Sequence, residues 1–103
     1  MIEIDVSKGI QVGGFHYDID TSNDAMRRCR SENRIGECSH QEGVIRIDPT
    51  FSDVTTSSVF IHEAIEAVKN VYCVKVEHDD IERLEAGLHQ VMESLGVRFV
   101  VKK

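Results

Sequence analysis

Apolar and polar residues alternate along the first half of the chain with a period of two, which is typical of β-strands. Four strands are predicted from this alternation, over residues 2–6, 11–19, 35–39 and 44–48. A turn at Lys8-Gly9 predicts a hairpin between the first two strands, although Gly13-Gly14 interrupts the second. The turn at 40–43 predicts another hairpin between the last two. The polar stretch 21–33 favours a short helix, with Thr21 or Ser22 as its cap.

In the second half the apolar spacing lengthens to that of an α-helix. It predicts a buried central helix over 54–73, a second helix over 79–95 and a short strand over 97–101. The apolar stripe of the second helix consists of Ile81, Leu84, Leu88, Val91, Met92 and Leu95. Asp79 and Glu82 fit a capping box at its start. Because both helices have wide apolar faces, we expect an α+β fold in which they pack together, with a small antiparallel or mixed sheet on one side.

The first long helix carries the sequence His62-Glu63-Ala64-Ile65-Glu66. Residues four apart lie one above the other on a helix, so His62 and Glu66 can bind one metal ion from successive turns. Zinc hydrolases carry H-E-x-x-H on a helix for this reason, with the Glu beside the first ligand as general base. A carboxylate is also a zinc ligand. The simpler alternative is the ordinary polar face of an amphipathic helix.

The second helix carries a matching row of polar residues, His78, Glu82, Glu85 and His89, in one narrow sector beside its stripe. Glu85 lies almost inside the stripe, where a carboxylate is costly unless it is paired or holds a metal or a metal ligand. Packing of the two helices by their apolar faces would bring the two rows together. Capping for Glu82, a surface position for His89 and a loop position for His78 remain the simpler alternatives.

Two segments within residues 60–92, F-I-H-E-A-I-E-A-V and H-D-D-I-E-R-L-E-A-G-L-H-Q-V-M, resemble the small zincin-like metallopeptidases of phage and prophage genomes. These proteins are minimal relatives of the gluzincins. Gly36-Glu37-Cys38 and the segment V-I-R-I-D-P at 44–49 are similar to that family's hairpin before the metal helix. The resemblance covers about residues 35–95. The chain departs from the usual H-E-x-x-H at Glu66 and resembles a subgroup with H-E-x-x-E followed by a His, a position that His78 fits.

The resemblance implies a single minimal zincin-like domain over residues 1–103 that binds Zn²⁺ and acts on a peptide or protein in a bacterial or phage-infected cell. His62, Glu66 and His78 would be the metal ligands, which restores the gluzincin count of two His and one carboxylate. Glu63 would be the catalytic base. Glu82 is the alternative third ligand, and Glu85 is expected to accept the spare N–H of a ligating His.

The expected function is therefore that of a zinc-dependent metallopeptidase-like hydrolase. The predicted strand 44–48 is expected to dock an extended peptide by edge pairing. One alternative is a non-catalytic interaction or accessory protein that retains the zincin-like fold. Another is a plain α+β dimer in which the His/Glu rows form a salt-bridged seam between two copies.

Composition and charge limit the kinds of partner that this chain is expected to bind. The chain of 103 residues carries 12 Lys and Arg against 18 Asp and Glu, a net charge of −6 that phosphate backbones repel, so nucleic acid is not an expected partner. No stretch approaches the roughly 18 apolar residues of a membrane span, and the first residues do not resemble a signal peptide, so a cytoplasmic protein is expected. The odd set Cys29, Cys38 and Cys73 lacks a C-x-x-C pair, which predicts unpaired thiols that are not metal ligands.

Overall fold

The computed structural model describes residues 1–102. Within them the chain forms an α+β fold of six strands and three helices, and the predicted fold class is confirmed. The strands are β1 (Ile2–Asp5), β2 (Ile10–Val12), β3 (Phe15–Asp20), β4 (Gly36–Ser39), β5 (Val44–Ile47) and β6 (Val97–Val100). The helices are α1 (Asn23–Ser31), α2 (Asp53–Tyr72) and α3 (His78–Ser94). No helix among the described residues is long and apolar enough to cross a membrane.

The larger sheet has the strand order β2-β3-β5-β4. The outer pairs β2/β3 and β4/β5 are antiparallel, whereas β3 and β5 run parallel. In the β4/β5 hairpin Gly36 pairs with Ile47, and Ser39 pairs with Val44. The expectation that strand 44–48 offers a free edge is wrong, because β5 has neighbours on both sides. The free edge on this side of the sheet belongs to β4.

The predicted hairpin at Lys8-Gly9 is also wrong. β1 pairs in parallel with β6 as a separate two-stranded sheet, in which Ile2 lies opposite Val97. The first hairpin is instead β2/β3, which turns at Gly13-Gly14, where Gly13 has a φ of +58° that favours glycine. Alternation identifies strands but not their partners, so the local turn signal was assigned to the wrong pair.

The core lies between the larger sheet and α2. Tyr17, Ile45 and Ile47 from the sheet pack with Phe60 and Ala67 from α2. The most extensive contact between any two elements is that of α2 with α3, and α2 also contacts four of the strands. This confirms that α2 is central and that the two long helices pack together. This places the polar residues of α2 between α3 on one side and β4 on the other.

The stripe predicted for the second helix is only partly buried. Ile81 is fully buried, but Leu84, Leu88 and Val91 of α3 and the C-cap residue Leu95 are about half exposed or more. α3 packs against α2 and β6 along one side, and Leu88 lines an apolar groove where these elements meet, so this apolar row lies along the edge of the packed side and stays partly exposed. Apolar spacing alone therefore overstated how much of this helix faces the core.

The start of α3 differs from the prediction by one residue, and this changes the role of two side chains. The helix begins at His78, with Glu77 as its N-cap and Asp80 completing a capping box. The expected capping pair of Asp79 and Glu82 is therefore wrong. His78 belongs to the first helical turn rather than to the preceding loop, which fixes its position relative to α2.

Candidate metal centre

Three of the side chains singled out in the sequence come together where α2 meets the start of α3. Ligand atoms of His62, Glu66 and His78 all lie within 4.8 Å of one another. His62 and Glu66 follow each other by one turn of α2, and the ring of His78 lies edge-on to that of His62, with their centroids 5.5 Å apart. This group could hold a metal ion.

The ring of His62 is held from behind by a carboxylate on α3. Its Nδ1–H donates to Glu85 Oε1 at 2.8 Å, and Ser58 Oγ donates to the other oxygen of Glu85 at 2.5 Å. Because Nδ1 is engaged, Nε2 is the nitrogen left for a metal ion, and a carboxylate behind a ligating His raises its basicity. Ser58 was not predicted as a site residue, although its spacing of four from His62 places it on the same side of α2.

The ring of His78 has a looser support on its own helix. Its Nε2 lies 2.9 Å from Glu82 Oε1, one turn further along α3. Both side chains are more than half exposed. Glu82 is not part of the group of three but lies beside it, bound to one member. The His/Glu rows of the two helices thus meet within one chain.

All six predicted site residues line one cavity of about 690 Å³ between α2, α3 and the segment that leads into β4. Glu63 is the most deeply buried of them, with 7% of its surface exposed. Burial raises the pKa of its carboxyl to about 7; the nearby carboxylates of Glu66 and Glu85 also raise it, and the charges of His62 and Arg34 partly oppose the rise. Glu63 can therefore take up or release a proton near neutral pH.

Gly36 lets β4 approach Glu63 closely. A Cβ at this position would lie 2.5 Å from Val59 Cγ1 and 3.0 Å from Glu63 Oε2, nearer than such atoms pack. The missing side chain therefore allows the edge strand to border the cavity beside the buried carboxylate. Only the family resemblance pointed to Gly36, because a glycine in a predicted strand does not indicate which residue it will face.

The cysteines are unpaired, as predicted. Cys29, Cys38 and Cys73 are all free, and none belongs to the group of three ligand candidates. Cys38 lines the cavity. Burial raises the pKa of its thiol to about 12, and the negative charges of Glu63 and Glu66 add to this rise. Cys38 is thus a neutral wall residue at physiological pH.

Arg34 also lines the cavity, although it was not predicted as a site residue. It follows Asn33, whose φ of 60° turns the chain from the end of α1 toward β4. Among the residues that line the cavity it is the single Lys or Arg. No motif marks it, because its position depends on how this turn lies against α2.

No protein-family model, curated protein or solved structure matches this chain. The zincin-like resemblance therefore stays a prediction from the motifs of the sequence.

Proposed function

We propose that this chain is a zinc-dependent hydrolase of peptide bonds, of the zincin-like kind that its H-E-x-x-E helix resembles. His62, Glu66 and His78 are the proposed zinc ligands, and Glu63 is the proposed base. The observation that carries the proposal is one cavity that combines the three ligand candidates with a buried carboxylate whose pKa is about 7.

The donor set fits zinc. Two imidazole nitrogens and one carboxylate oxygen are ordinary zinc ligands, and catalytic zinc sites use three protein ligands and keep one position open. The Glu85 carboxylate behind His62 is the usual support of a zinc-bound His. When bound, Zn²⁺ polarises a carbonyl oxygen and makes a water more acidic.

Glu63 supplies the proton transfer. Its carboxylate would accept a proton from the water that attacks the peptide carbonyl and then give it to the departing amine. Burial disfavours the charged form of Glu63 and raises its pKa in the metal-free chain, which makes this carboxylate a stronger proton acceptor than an exposed one. Glu85 and Glu82 are already engaged by His62 and His78, which leaves Glu63 the freest of these carboxylates for this task.

The edge strand β4 supplies a docking site for the substrate. β4 is hydrogen-bonded to β5 on one side only, and its residues Gly36 and Cys38 line the cavity. An extended peptide can pair with such an edge through its backbone, which needs few side-chain subsites. The edge thus replaces β5, the strand expected from the sequence.

The proposal is tested with protein purified without a His tag. We expect bound zinc by metal analysis and chelator-sensitive hydrolysis of unfolded casein. Glu63→Gln should keep the zinc and lose activity by a factor of about 10²–10⁴. Glu3→Gln, an exposed carboxylate outside the cavity lining, is the matched control and should change neither. Absence of zinc after loading, or full activity of Glu63→Gln, would contradict the proposal.

A non-catalytic binding role is the second candidate, and the exposed apolar edge of α3 beside α2 favours it. Leu84, Leu88, Val91 and Leu95 leave a row of exposed apolar side chains there. Exposed apolar patches often mark interaction sites. If the protein binds zinc but hydrolyses no peptide, the binding role is favoured over the hydrolase function.

A further inference from the structure

The cavity has one basic corner in otherwise acidic surroundings. Glu85 is held by His62 and Ser58, whereas the nearest carboxylate to Arg34 is Glu32 Oε2, 3.7 Å from Nη1. Glu32 lies two residues away, and the side chains of Arg34 and Glu32 are 58% and 45% exposed, so this ion pair is weak. The guanidinium of Arg34 is therefore available to a negatively charged group that enters the cavity, and its planar fork matches a carboxylate.

The direction of β4 decides which end of a docked peptide meets Arg34. β4 runs from Gly36 to Ser39, and Arg34 lies two residues before the strand begins. Antiparallel pairing is slightly more stable than parallel pairing, so a peptide on this edge runs opposite to β4. Its C-terminal end then lies at the Gly36 end of the strand, on the side of Arg34.

The distance to the proposed base is short. Glu63 Oε2 lies 3.0 Å from the position of a Cβ on Gly36. Arg34 precedes Gly36 by two residues, with a bend at Ile35 between them, so their Cα atoms are at most about 7 Å apart. A peptide with its carboxylate on Arg34 therefore leaves room for only one or two residues between that carboxylate and the bond beside Glu63.

We infer that Arg34 binds the free C-terminal carboxylate of the substrate, so that the enzyme removes one or two residues from the C-terminal ends of peptides. The inference rests on the proposed hydrolase function and adds the substrate class. Arg34 is a specificity residue here: a charge-assisted bidentate pair with a carboxylate is among the strongest hydrogen-bonded contacts in proteins.

The test compares one peptide as its free acid and as its C-terminal amide, with products identified by mass spectrometry. With zinc-loaded protein we expect kcat/KM for the acid to exceed that for the amide by about tenfold or more, mainly through KM, with release of the last one or two residues. Arg34→Gln should bring the ratio close to one at unchanged zinc content, and Arg34→Lys should restore part of it. Arg27→Gln, an exposed arginine outside this cavity, is the control and should leave the ratio unchanged.

A binding measurement separates this inference from the proposed function. Zinc-loaded Glu63→Gln is titrated with the two peptides, fluorescently labelled at the N-terminus. Tighter binding of the acid that is lost in the double variant with Arg34→Gln supports the carboxylate site, even if no variant hydrolyses peptides and the hydrolase proposal fails. Equal binding of acid and amide, or equal hydrolysis of both at internal bonds, would overturn the role of Arg34 and leave the hydrolase proposal standing.

Discussion

The two helices contribute to the candidate metal centre in different ways. On α2, the side chain of His62 is 16% exposed and is held by Glu85, which Ser58 holds in turn. At the start of α3, the side chain of His78 is 66% exposed and touches the similarly exposed Glu82. An exposed pair of this kind contributes little to stability, whereas a buried network fixes the orientation of its members. The α2 side of the site is thus preorganised, and the α3 side is adjustable.

The largest expected effect is the loss of zinc affinity when one of the two proposed His ligands is removed. His62→Ala removes the proposed ligand that Glu85 orients, and we expect zinc affinity to fall by more than the 10–100-fold that loss of a supporting carboxylate costs. His78→Ala should cost less, because Glu82 lies beside the vacated position and can turn toward the ion. Competition with a chromogenic chelator measures both, with His16→Ala, an exposed His outside the cavity, as control.

The same measurement decides the third ligand. If His78→Ala binds zinc as tightly as the parent while Glu82→Ala loses it, the α3 ligand is Glu82 and the permuted set of two His and one Glu is wrong.

The next effect concerns Glu63, the most buried acid of the α2 side. Its pKa is raised from 4.5 to about 7 in the folded chain, so between these values the unfolded state has lost a proton that the folded state keeps. The contribution of Glu63 to the free energy of unfolding of the metal-free protein is therefore greatest below pH 4.5. It falls by about 3 kcal/mol in total as the pH rises to about 7.

Urea unfolding of the metal-free protein at pH 5 and pH 8 measures this fall. Glu63→Gln has no proton to lose and should show a smaller decline, whereas Glu3→Gln should follow the parent. A Glu63→Gln variant whose stability changes with pH as much as that of the parent would show that Glu63 is not the source.

Smaller losses of zinc affinity are expected when Glu85 or Glu82, the carboxylates that contact the two His side chains, is replaced. Glu85→Gln keeps the shape but weakens the acceptor behind His62, and we expect zinc affinity to fall by about 10–100-fold. Glu82→Gln acts on the exposed pair with His78 and should cost less than tenfold, as expected for a contact screened by water. Equal losses in the two variants would mean that α2 and α3 are equally preorganised. Titration at two ionic strengths adds a check, since salt should weaken the effect at Glu82 more.

The α2 side was also the part that the sequence could predict. His62, Glu63 and Glu66 follow from spacing within one helix, which needs no knowledge of other elements. Glu85 could be selected because a carboxylate near an apolar stripe needs a partner. That partner is His62 on α2, as the packing of the two helices places it.

The remaining features depend on contacts between distant segments. β1 pairs with β6 across almost the whole chain, and no local pattern selects that partner over β2. The edge position of β4 depends on β3 joining β5 on its other side, so the free edge of this hairpin was predicted on the wrong strand. Arg34 enters the cavity only because the turn at Asn33 directs it there.

The smallest expected effects come from two glycines, one facing α2 and one on α3. Gly36→Ala places a Cβ 2.5 Å from Val59 Cγ1, and the branched Val side chain on a helix has little freedom to move away, so we expect a loss of about 1–3 kcal/mol in stability. Gly87→Ala meets no atom within 4 Å and lies inside α3, where alanine is favoured over glycine, so a gain of about 0.5–1 kcal/mol is expected. Thermal unfolding of the metal-free variants shows whether each substitution lowers or raises stability. A neutral Gly36→Ala would mean that β4 can move away from α2, and the tight wall beside Glu63 would then be adjustable like the α3 side.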